Sequence, residues 1–227
     1  MSVTDYLSEN GSGMYRQCYV PDLVPSSRAV QLVFVFESPH VDELKARVPV
    51  AGAAGKSAFR FLLPGQPKQM SLGRFVQQSH AAGDDRIAIL NVSNVPMQQA
   101  AFVDAETPDL GDGEWTLIEK IRRSRARSPS SMRGAEARAM SELLLAGFRH
   151  RLSDVADVAD GFDGRVVAAG AFAQRMVAAA IPDLLPKPLR VPHPSFSQWH
   201  RTANQNSPDL LAMRDRFRDR TIGCPTP

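Results

Sequence analysis

Four short runs of apolar residues, rich in β-branched and aromatic side chains, stand out from the mixed pattern of the chain. They span residues 31–36, 86–91, 165–169 and 188–192, and the last is the weakest. Within the runs the hydrophobicity is nearly continuous rather than alternating, which is typical of strands covered on both faces in a parallel sheet. The pattern therefore predicts a mostly parallel four-stranded sheet.

Apolar residues at helical spacing fill much of the chain between these runs. They predict helices over residues 56–63, 72–81, 135–152, 171–180 and 207–220. In the last of these, Ser207 suits the N-cap and Pro208 the first helical position. Alternating strands and helices predict an α/β fold, a three-layer α/β/α sandwich around the sheet.

Two segments fall outside this alternation. Residues 1–30 are punctuated by glycine and proline and are predicted to wrap around the outside of the domain. Residues 122–134 begin as a basic, serine-rich stretch without an apolar face and are predicted to form a mobile basic loop. This loop is either simply solvated or an arm that contacts a phosphate backbone. No long linker divides the chain, so residues 1–227 are predicted to form a single domain.

Composition narrows the classes of protein that fit. The formal net charge is +3, and arginine far outnumbers lysine, which weakly favours a polyanionic partner because guanidinium suits phosphate. Only two cysteines are present, Cys18 and Cys224, too few for a four-cysteine zinc site or an iron–sulfur cluster. The polar N-terminus is unlike a secretion signal, and the most apolar stretch, 166–181, is too polar to span a bilayer. We therefore expect a cytoplasmic protein with no membrane partner.

Polar residues follow three of the predicted strands, where open α/β sheets bind their ligands. Glu37 follows the first strand, Asn91 ends the second, and His193 follows the fourth. A carboxylate can orient water or stabilise a cationic sugar, and an imidazole can donate a hydrogen bond to a departing anion. A carboxamide can read the edge of a base. Together these side chains predict hydrolysis of a glycosidic bond.

The sequences around these strand ends resemble the motifs of the uracil-DNA glycosylase superfamily. The first motif is Phe36-Glu-Ser-Pro-His40, followed by the glycine-containing loop 48–55. The strand ending in Asn corresponds to residues 89–91, and the final motif is Val191-Pro-His-Pro-Ser195. Residues 166–173 resemble the strand and turn that precede that motif. The resemblance covers residues 31–200 with the motifs in the family's order, which is fairly specific.

The resemblance implies a role for each matching residue. Glu37 would handle water or stabilise the oxocarbenium-like sugar, Asn91 would read a base flipped out of DNA, and His193 would donate to the oxygen of the leaving base. The base pocket would be lined by Ser38, Pro39, His40, Val50 and Asn94. Contacts with DNA would come from Gly52, Gly55, Lys56, Ser57, Pro194, Ser195, Phe196, Trp199 and Arg201. Of these, Phe196 or Trp199 would fill the gap left by the flipped nucleotide.

One departure from the family changes the expected substrate. Val50 stands where many uracil enzymes place a phenylalanine under the flipped base. A small aliphatic side chain widens the pocket, so a larger or modified base becomes a candidate, including the hypermodified cytosines of some phage DNA. The expected role is therefore base excision repair or defence against phage.

Other classes of function compete with this interpretation. Residues 51–57 superficially resemble a phosphate-binding P-loop, but Val50 occupies the position of the first glycine, and the segment does not directly follow a strand. A catalytically silent DNA-binding module and a hydrolase of free nucleosides or nucleotides remain open. If the protein acts on DNA or binds it, we expect a monomer that binds single- or double-stranded DNA and requires no metal or cofactor.

Overall fold

The predicted strands form one sheet in the computed structural model, which describes residues 2–8, 18–26, 30–102, 107–155 and 164–221. The pairings between these four strands are parallel, and the strand order is β2-β1-β3-β4. The strands are β1 (Leu32–Phe36), β2 (Ile87–Asn91), β3 (Arg165–Ala169) and β4 (Leu189–Val191). Every residue of β1 and β2 is buried, which explains their uninterrupted hydrophobicity.

Helices cover the sheet and connect its strands. They are α1 (Val3–Leu7), α2 (Val41–Ala46), α3 (Ala53–Leu62), α4 (Leu72–Ala81), α5 (Asp112–Arg123), α6 (Ala135–Val155), α7 (Ala171–Ala180), α8 (Thr202–Gln205) and α9 (Pro208–Thr221). Short 3₁₀ segments lie at Gln99–Phe102, Pro129–Ser131 and Ser195–His200. Among the helices in the described ranges, none combines the length and the apolar character needed to cross a membrane.

The two faces of the sheet carry separate hydrophobic clusters. Phe34 of β1 packs with apolar residues of α3, α4 and α9, whereas its neighbours Val33 and Val35 pack with residues of α1, α5, α6 and α7. Successive residues of a strand point to opposite faces, so both halves of each run find an apolar cover. The predicted three-layer α/β/α sandwich is confirmed.

The order of the strands opens a crevice at the carboxyl edge of the sheet. The chain leaving β1 leads to α3 and α4 on one face, whereas the chain leaving β3 enters α7 on the other. Because β1 and β3 are neighbours, the two connections diverge between them. Ligands of open α/β sheets bind at such a switch point.

The N-terminal region contains an ordered helix and a strand bridge within the predicted outer wrap. Val3, Tyr6 and Leu7 of α1 are buried, and the Tyr6 hydroxyl donates to the Pro96 carbonyl at 2.7 Å. Leu23 forms an antiparallel bridge that covers the outer edge of β2. A five-residue helix is too short to display a periodic pattern, so the sequence did not reveal it. Residues 1, 9–17 and 27–29 of the predicted wrap lie outside the described residues.

The basic segment 122–134 differs from a mobile loop. Arg122 and Arg123 form the last turn of α5, and the following residues are anchored at Ala126, which packs against the core, and at the buried Pro129. Basic residues favour the C-terminal turn of a helix because they complement its dipole. The charges therefore mark the end of a helix, and the prediction of a loop beginning at residue 122 is wrong.

Candidate active site

A cleft of about 540 Å³ lies at the carboxyl ends of β1 and β4. Its lining from the first motif comprises Phe36, Glu37, Ser38 and His40, and from the last motif His193, Ser195 and Phe196. The loop before α3 adds Val50, Gly52 and Gly55, and Asp42, Glu43, Gln98 and Arg122 complete the polar part of the wall. Two motifs far apart in sequence thus share one cavity of a size that accommodates a small ligand.

The strand between these motifs leaves room for them to meet. Gly170 follows β3 with a φ of +93°, a conformation that disfavours any side chain. A Cβ at Gly170 would lie only 3.1 Å from the Cβ of His193. The His193 ring packs edge-on against Phe36, with 6.2 Å between the ring centroids. Gly170 therefore permits the residues that follow β4 to approach the end of β1.

His193 is held as a neutral imidazole. Its Nδ1 accepts from the backbone N–H of Ser195 at 3.3 Å and lies 2.8 Å from the Ser195 hydroxyl oxygen. An N–H group can only donate, so the ring hydrogen is assigned to Nε2. Burial lowers the pKa of His193 to about 4, and the nearby charge of Arg122 adds to this effect. At neutral pH the ring can therefore donate a hydrogen bond from Nε2 without carrying a charge.

Glu37 is a partly desolvated carboxylate beside two cations. Burial raises the pKa of Glu37, and the charges of Arg122 and Arg175 oppose this rise. The Arg122 Nη1 lies 3.5 Å from Glu37 Oε1, and the Glu37 side chain keeps a quarter of its surface exposed (25%). A carboxylate in such surroundings is suited to orient water or to receive a proton.

Arg122 is a cleft residue whose position the sequence did not reveal. Its Nη2 donates to Gln98 Oε1 at 3.1 Å, while Nε has no hydrogen-bond partner among the residues described. Arg175 holds the helix end on which Arg122 stands, because its guanidinium donates to the carbonyls of Ile121 and Ser124. The signal was present in Trp115, Ile118 and Ile121, whose spacing marks the buried face of a helix.

The Val50 loop forms a strained wall of the cleft. Val50 has a φ of +53°, which is costly for a β-branched residue. Its N–H donates to one carboxylate oxygen of Glu43, and the other oxygen accepts from the His40 N–H at 2.9 Å. A Cβ at Gly55 would lie 1.7 Å from the Val50 carbonyl oxygen. The absence of a side chain at Gly55 therefore allows the loop backbone to pack closely. Glu43, which the sequence did not suggest, connects that loop to the first motif through these two hydrogen bonds.

Asn91 lies beside the cleft without lining it. It pairs in register with Phe36 on the neighbouring strand, which places both side chains on the same face of the sheet. The residue is 1% exposed, and neither polar atom of its amide has a partner in the described part of the chain. Leaving such a group unpaired costs about 1–3 kcal/mol, so its amide is available to a ligand or to water.

Asn94 lies in a different environment from the predicted base pocket. It is fully buried, and its Nδ2 donates to the Val20 carbonyl at 2.9 Å and to Asp22 Oδ1 at 3.1 Å. Asn94 therefore joins the N-terminal segment to the end of β2. Pro39 and Pro194 are also buried and do not line the cleft.

The predicted DNA contacts divide into exposed and buried residues. Phe196 lines the cleft and is 85% exposed, whereas Trp199 is fully buried and its Nε1 donates to the Pro192 carbonyl at 2.6 Å. Trp199 cannot enter a DNA helix without leaving the core, so Phe196 remains as the wedge candidate. Ser57 is likewise buried. Arg201 is exposed but lies outside the cleft lining, as does Lys56, whose Nζ donates to Gln69 at 3.4 Å.

No protein-family model and no curated protein matches this chain. The described side chains contain no group of three or more His, Cys, Asp or Glu residues placed to hold a metal ion. Fold and cleft define an α/β domain that joins a carboxylate and a neutral imidazole at the carboxyl edge of a parallel sheet. The resemblance to the uracil-DNA glycosylase superfamily stays a prediction.

Proposed function

We propose that this protein is a cytoplasmic DNA glycosylase that hydrolyses the bond between a base and its deoxyribose and leaves an abasic site. The observation that carries the proposal is the shared cleft of Glu37 and His193, which come from different strands and have complementary chemistry. The order of motifs along the chain supports the same assignment. DNA would bind with one nucleotide extruded into the cleft.

Each cleft residue takes a defined part in the proposed reaction. As the C1′–N bond breaks, its electron pair stays with the base and positive charge develops on the sugar. The Glu37 carboxylate stabilises that charge and takes the proton of the water whose oxygen bonds to C1′. His193 donates from Nε2 to the oxygen on which the leaving base carries its negative charge. Arg122 stabilises the same negative charge through space.

The shape of the cleft bears on the choice of base. Val50 lines the cleft with a small side chain. The side-chain amide of Asn91, which is unpaired among the described residues, lies on the same face of the sheet as the cleft residue Phe36. We propose that the pocket takes a uracil-like or a modified base, with hypermodified cytosine as the larger candidate. Excision of the former would serve base excision repair, and excision of the latter would serve defence against phage DNA.

The test is an excision assay on DNA strands that carry uracil, hypoxanthine or glucosylated hydroxymethylcytosine. Abasic sites are detected by cleavage in alkali. We expect product from at least one strand, and a loss of about 10²–10⁴-fold in Glu37→Gln, because the variant cannot accept a proton. Glu142→Gln, on the exposed face of α6, removes the same charge away from the cleft and should keep full activity.

Three outcomes would contradict parts of this proposal. Tight DNA binding without product from any strand would favour a silent binding module. Hydrolysis of free nucleosides as fast as of DNA, with no salt dependence, would favour a nucleoside hydrolase. Uracil released fastest would exclude hypermodified cytosine as the preferred base.

A further inference from the structure

A second cavity, of about 640 Å³, lies on the α7 side of the cleft and has a basic wall. Arg125 and Arg127 line it from the segment after α5, and Lys187 and Arg190 line it from the approach to β4. All four residues are exposed, and no carboxylate is among the described residues that line this cavity. We call these four residues and the cavity between them the basic groove.

The wall that carries Arg125 and Arg127 is held in place. Arg175 donates to the carbonyls of Ile121 and Ser124 at its beginning, and the Ala126 N–H donates to the Ser124 hydroxyl at 3.0 Å. Ala126 packs against the core between the two arginines. Arg125 and Arg127 are both exposed, and no hydrogen bond or ion pair of either side chain is found in the described part of the chain. The backbone of this wall is therefore anchored, and its two guanidinium groups are available to a ligand.

The opposite wall adds two cations whose side chains hydrogen-bond to uncharged acceptors. Lys187 Nζ donates to the Pro182 carbonyl at 3.0 Å, and Arg190 Nη2 donates to Gln174 Oε1 at 3.4 Å. Asp209 is near Arg190 but accepts from its backbone N–H at 2.8 Å. The two side chains bind neutral acceptors, and no carboxylate is among the described residues that line the cavity, so the groove presents a positive field.

The basic groove begins beside the reacting groups. Arg175 lines the groove, and its charge also opposes the rise that burial causes in the pKa of Glu37 in the cleft. The short connection between Arg122 in the cleft and Arg125 in the groove makes the two cavities neighbours. A polymer whose one unit occupies the cleft would reach the groove with its next units.

We propose that the basic groove binds the phosphodiester backbone of the same DNA strand that inserts a nucleotide into the cleft. This inference rests on the proposed function for the identity of the polymer. The four cations bind successive phosphates flanking the extruded nucleotide, and they do so without reading the bases. The groove thereby favours a strand over a free nucleoside as the substrate.

The test measures binding of oligodeoxythymidine, which carries none of the three bases of the excision assay, by fluorescence anisotropy over a range of NaCl concentrations. Two double variants, Arg125→Gln with Arg127→Gln and Lys187→Gln with Arg190→Gln, each remove two groove charges. Each phosphate of a single strand that the protein no longer neutralises lowers the slope of log K against log[salt] by about 0.7. We therefore expect each pair of substitutions to lower the slope by about 1.4, twice that value.

The matched control is Arg60→Gln with Lys68→Gln, which removes the same charge from exposed positions that line neither cavity. An equal loss in the control, or an unchanged slope in both groove variants, overturns the proposal. Competition by inorganic phosphate as strong as that by the oligonucleotide also overturns it, since the groove would then be a simple anion site. If the groove variants bind the strand more weakly while no modified base is excised, the groove stands and the glycosylase assignment fails.

Discussion

Two carboxylate–arginine pairs lie near the carboxyl edge of the sheet, one sealed and one open. In the sealed pair, Asp22 Oδ2 lies 2.7 Å from Arg151 Nη1, and the side chains are 8% and 18% exposed. In the open pair, Glu37 Oε1 lies 3.5 Å from Arg122 Nη1, and the Glu37 side chain is 25% exposed. The two pairs have the same charges but different surroundings.

The sealed pair forms its other hydrogen bonds with groups of the protein itself. Arg151 donates to the carbonyls of Asn91 and Val92 at 2.9 and 2.8 Å, and Asp22 accepts from the Asn91 N–H and the Asn94 side chain, both at 3.1 Å. Burial raises the pKa of Asp22, while Arg151 opposes this rise. These bonds join the N-terminal segment, the end of β2 and α6.

The open pair leaves hydrogen-bonding capacity for a ligand. Beyond Glu37, the described partner of the Arg122 guanidinium is Gln98, and its Nε is unbonded within the described residues. The contrast teaches that a buried ion pair indicates function when its charged atoms face an open cleft. A pair whose carboxylate and guanidinium Nη atoms are taken up by each other and by backbone groups acts as a structural joint.

Breaking the sealed pair should have the largest effect. Arg151→Met leaves Asp22 buried without its counter-charge, so we expect the free energy of unfolding to fall by about 3–5 kcal/mol. Urea denaturation followed by circular dichroism measures this decrease. The excision rate per folded molecule should change little, because Arg151 lies outside the cleft lining.

The double variant Asp22→Asn with Arg151→Met supplies the control. It removes both charges and should recover part of the stability. A decrease below about 1 kcal/mol in Arg151→Met would place the pair with ordinary surface ion pairs and would contradict the contrast.

Breaking the open pair should alter activity instead. Arg122→Met removes a cation that faces the developing negative charge, so we expect the single-turnover excision rate to fall by about 10²-fold. The free energy of unfolding should change by less than about 1 kcal/mol, because the pair is long and partly hydrated. Arg123→Met, one residue away with a side chain that is 67% exposed, is the matched control and should keep its activity.

The pH dependence of the same variant sharpens this prediction. Arg122 lowers the pKa of Glu37, so its removal lets burial raise that pKa further. Glu37 must be ionised to accept a proton, and the acidic limb of the rate profile should therefore move to higher pH. An unmoved limb, or an equal loss of activity in Arg123→Met, would mean that Arg122 does not act on Glu37.

A smaller effect is expected at the mouth of the cleft. Phe196→Ala removes the exposed ring that would occupy the gap in a duplex, so we expect excision from duplex DNA to fall about tenfold, with a smaller decrease on single strands. Stability should be unchanged because the ring is 85% exposed. Trp199→Phe should lower the stability and leave the excision rate unchanged, since it removes a buried hydrogen bond to the Pro192 carbonyl. Equal decreases on duplex and single strands would remove Phe196 from this role.

Substitution of a third carboxylate, Glu43, should have the smallest effect. It should change how the stability of the protein depends on pH. Burial raises the pKa of Glu43 to about 7 from its usual value of 4.5. The protonated carboxyl group therefore makes its full contribution to stability below pH 4.5, and this contribution is lost as the pH rises through 7. Glu43→Gln cannot ionise. We therefore expect the unfolding midpoint of the wild type to fall relative to the variant across this interval. Parallel profiles would mean that Glu43 is well solvated.

Much of the fold follows from local patterns, whereas several site contacts do not. The strands begin and end within a residue of their predicted bounds because a run buried on both faces has a distinctive composition. The helices α1, α2, α5 and α8 escape prediction, and three of them, α1, α2 and α8, are too short for a repeating pattern. The basic end of α5 resembles a loop in sequence because its charges hide the apolar face that precedes them.

The candidate site divides in the same way. Glu37 and His193 could be expected to share a cleft, because carboxyl ends of parallel strands meet at one edge of a sheet. The sealed position of Asn94 could not be foreseen, since it depends on Val20 and Asp22, which carry no local signal. Trp199 likewise looks available in the sequence, although its ring packs against Phe61 of α3.

The amino-acid pattern alone established which segments are buried strands and which polar residues lie at the ends of three of them, because burial leaves its mark on neighbouring residues. The tertiary structure alone decided which arginine meets which carboxylate. Asp22 and Arg151 are 129 positions apart, and their contact depends on strand order and helix packing rather than on any nearby residue. That difference makes one polar cluster a structural joint and leaves the other open to a substrate.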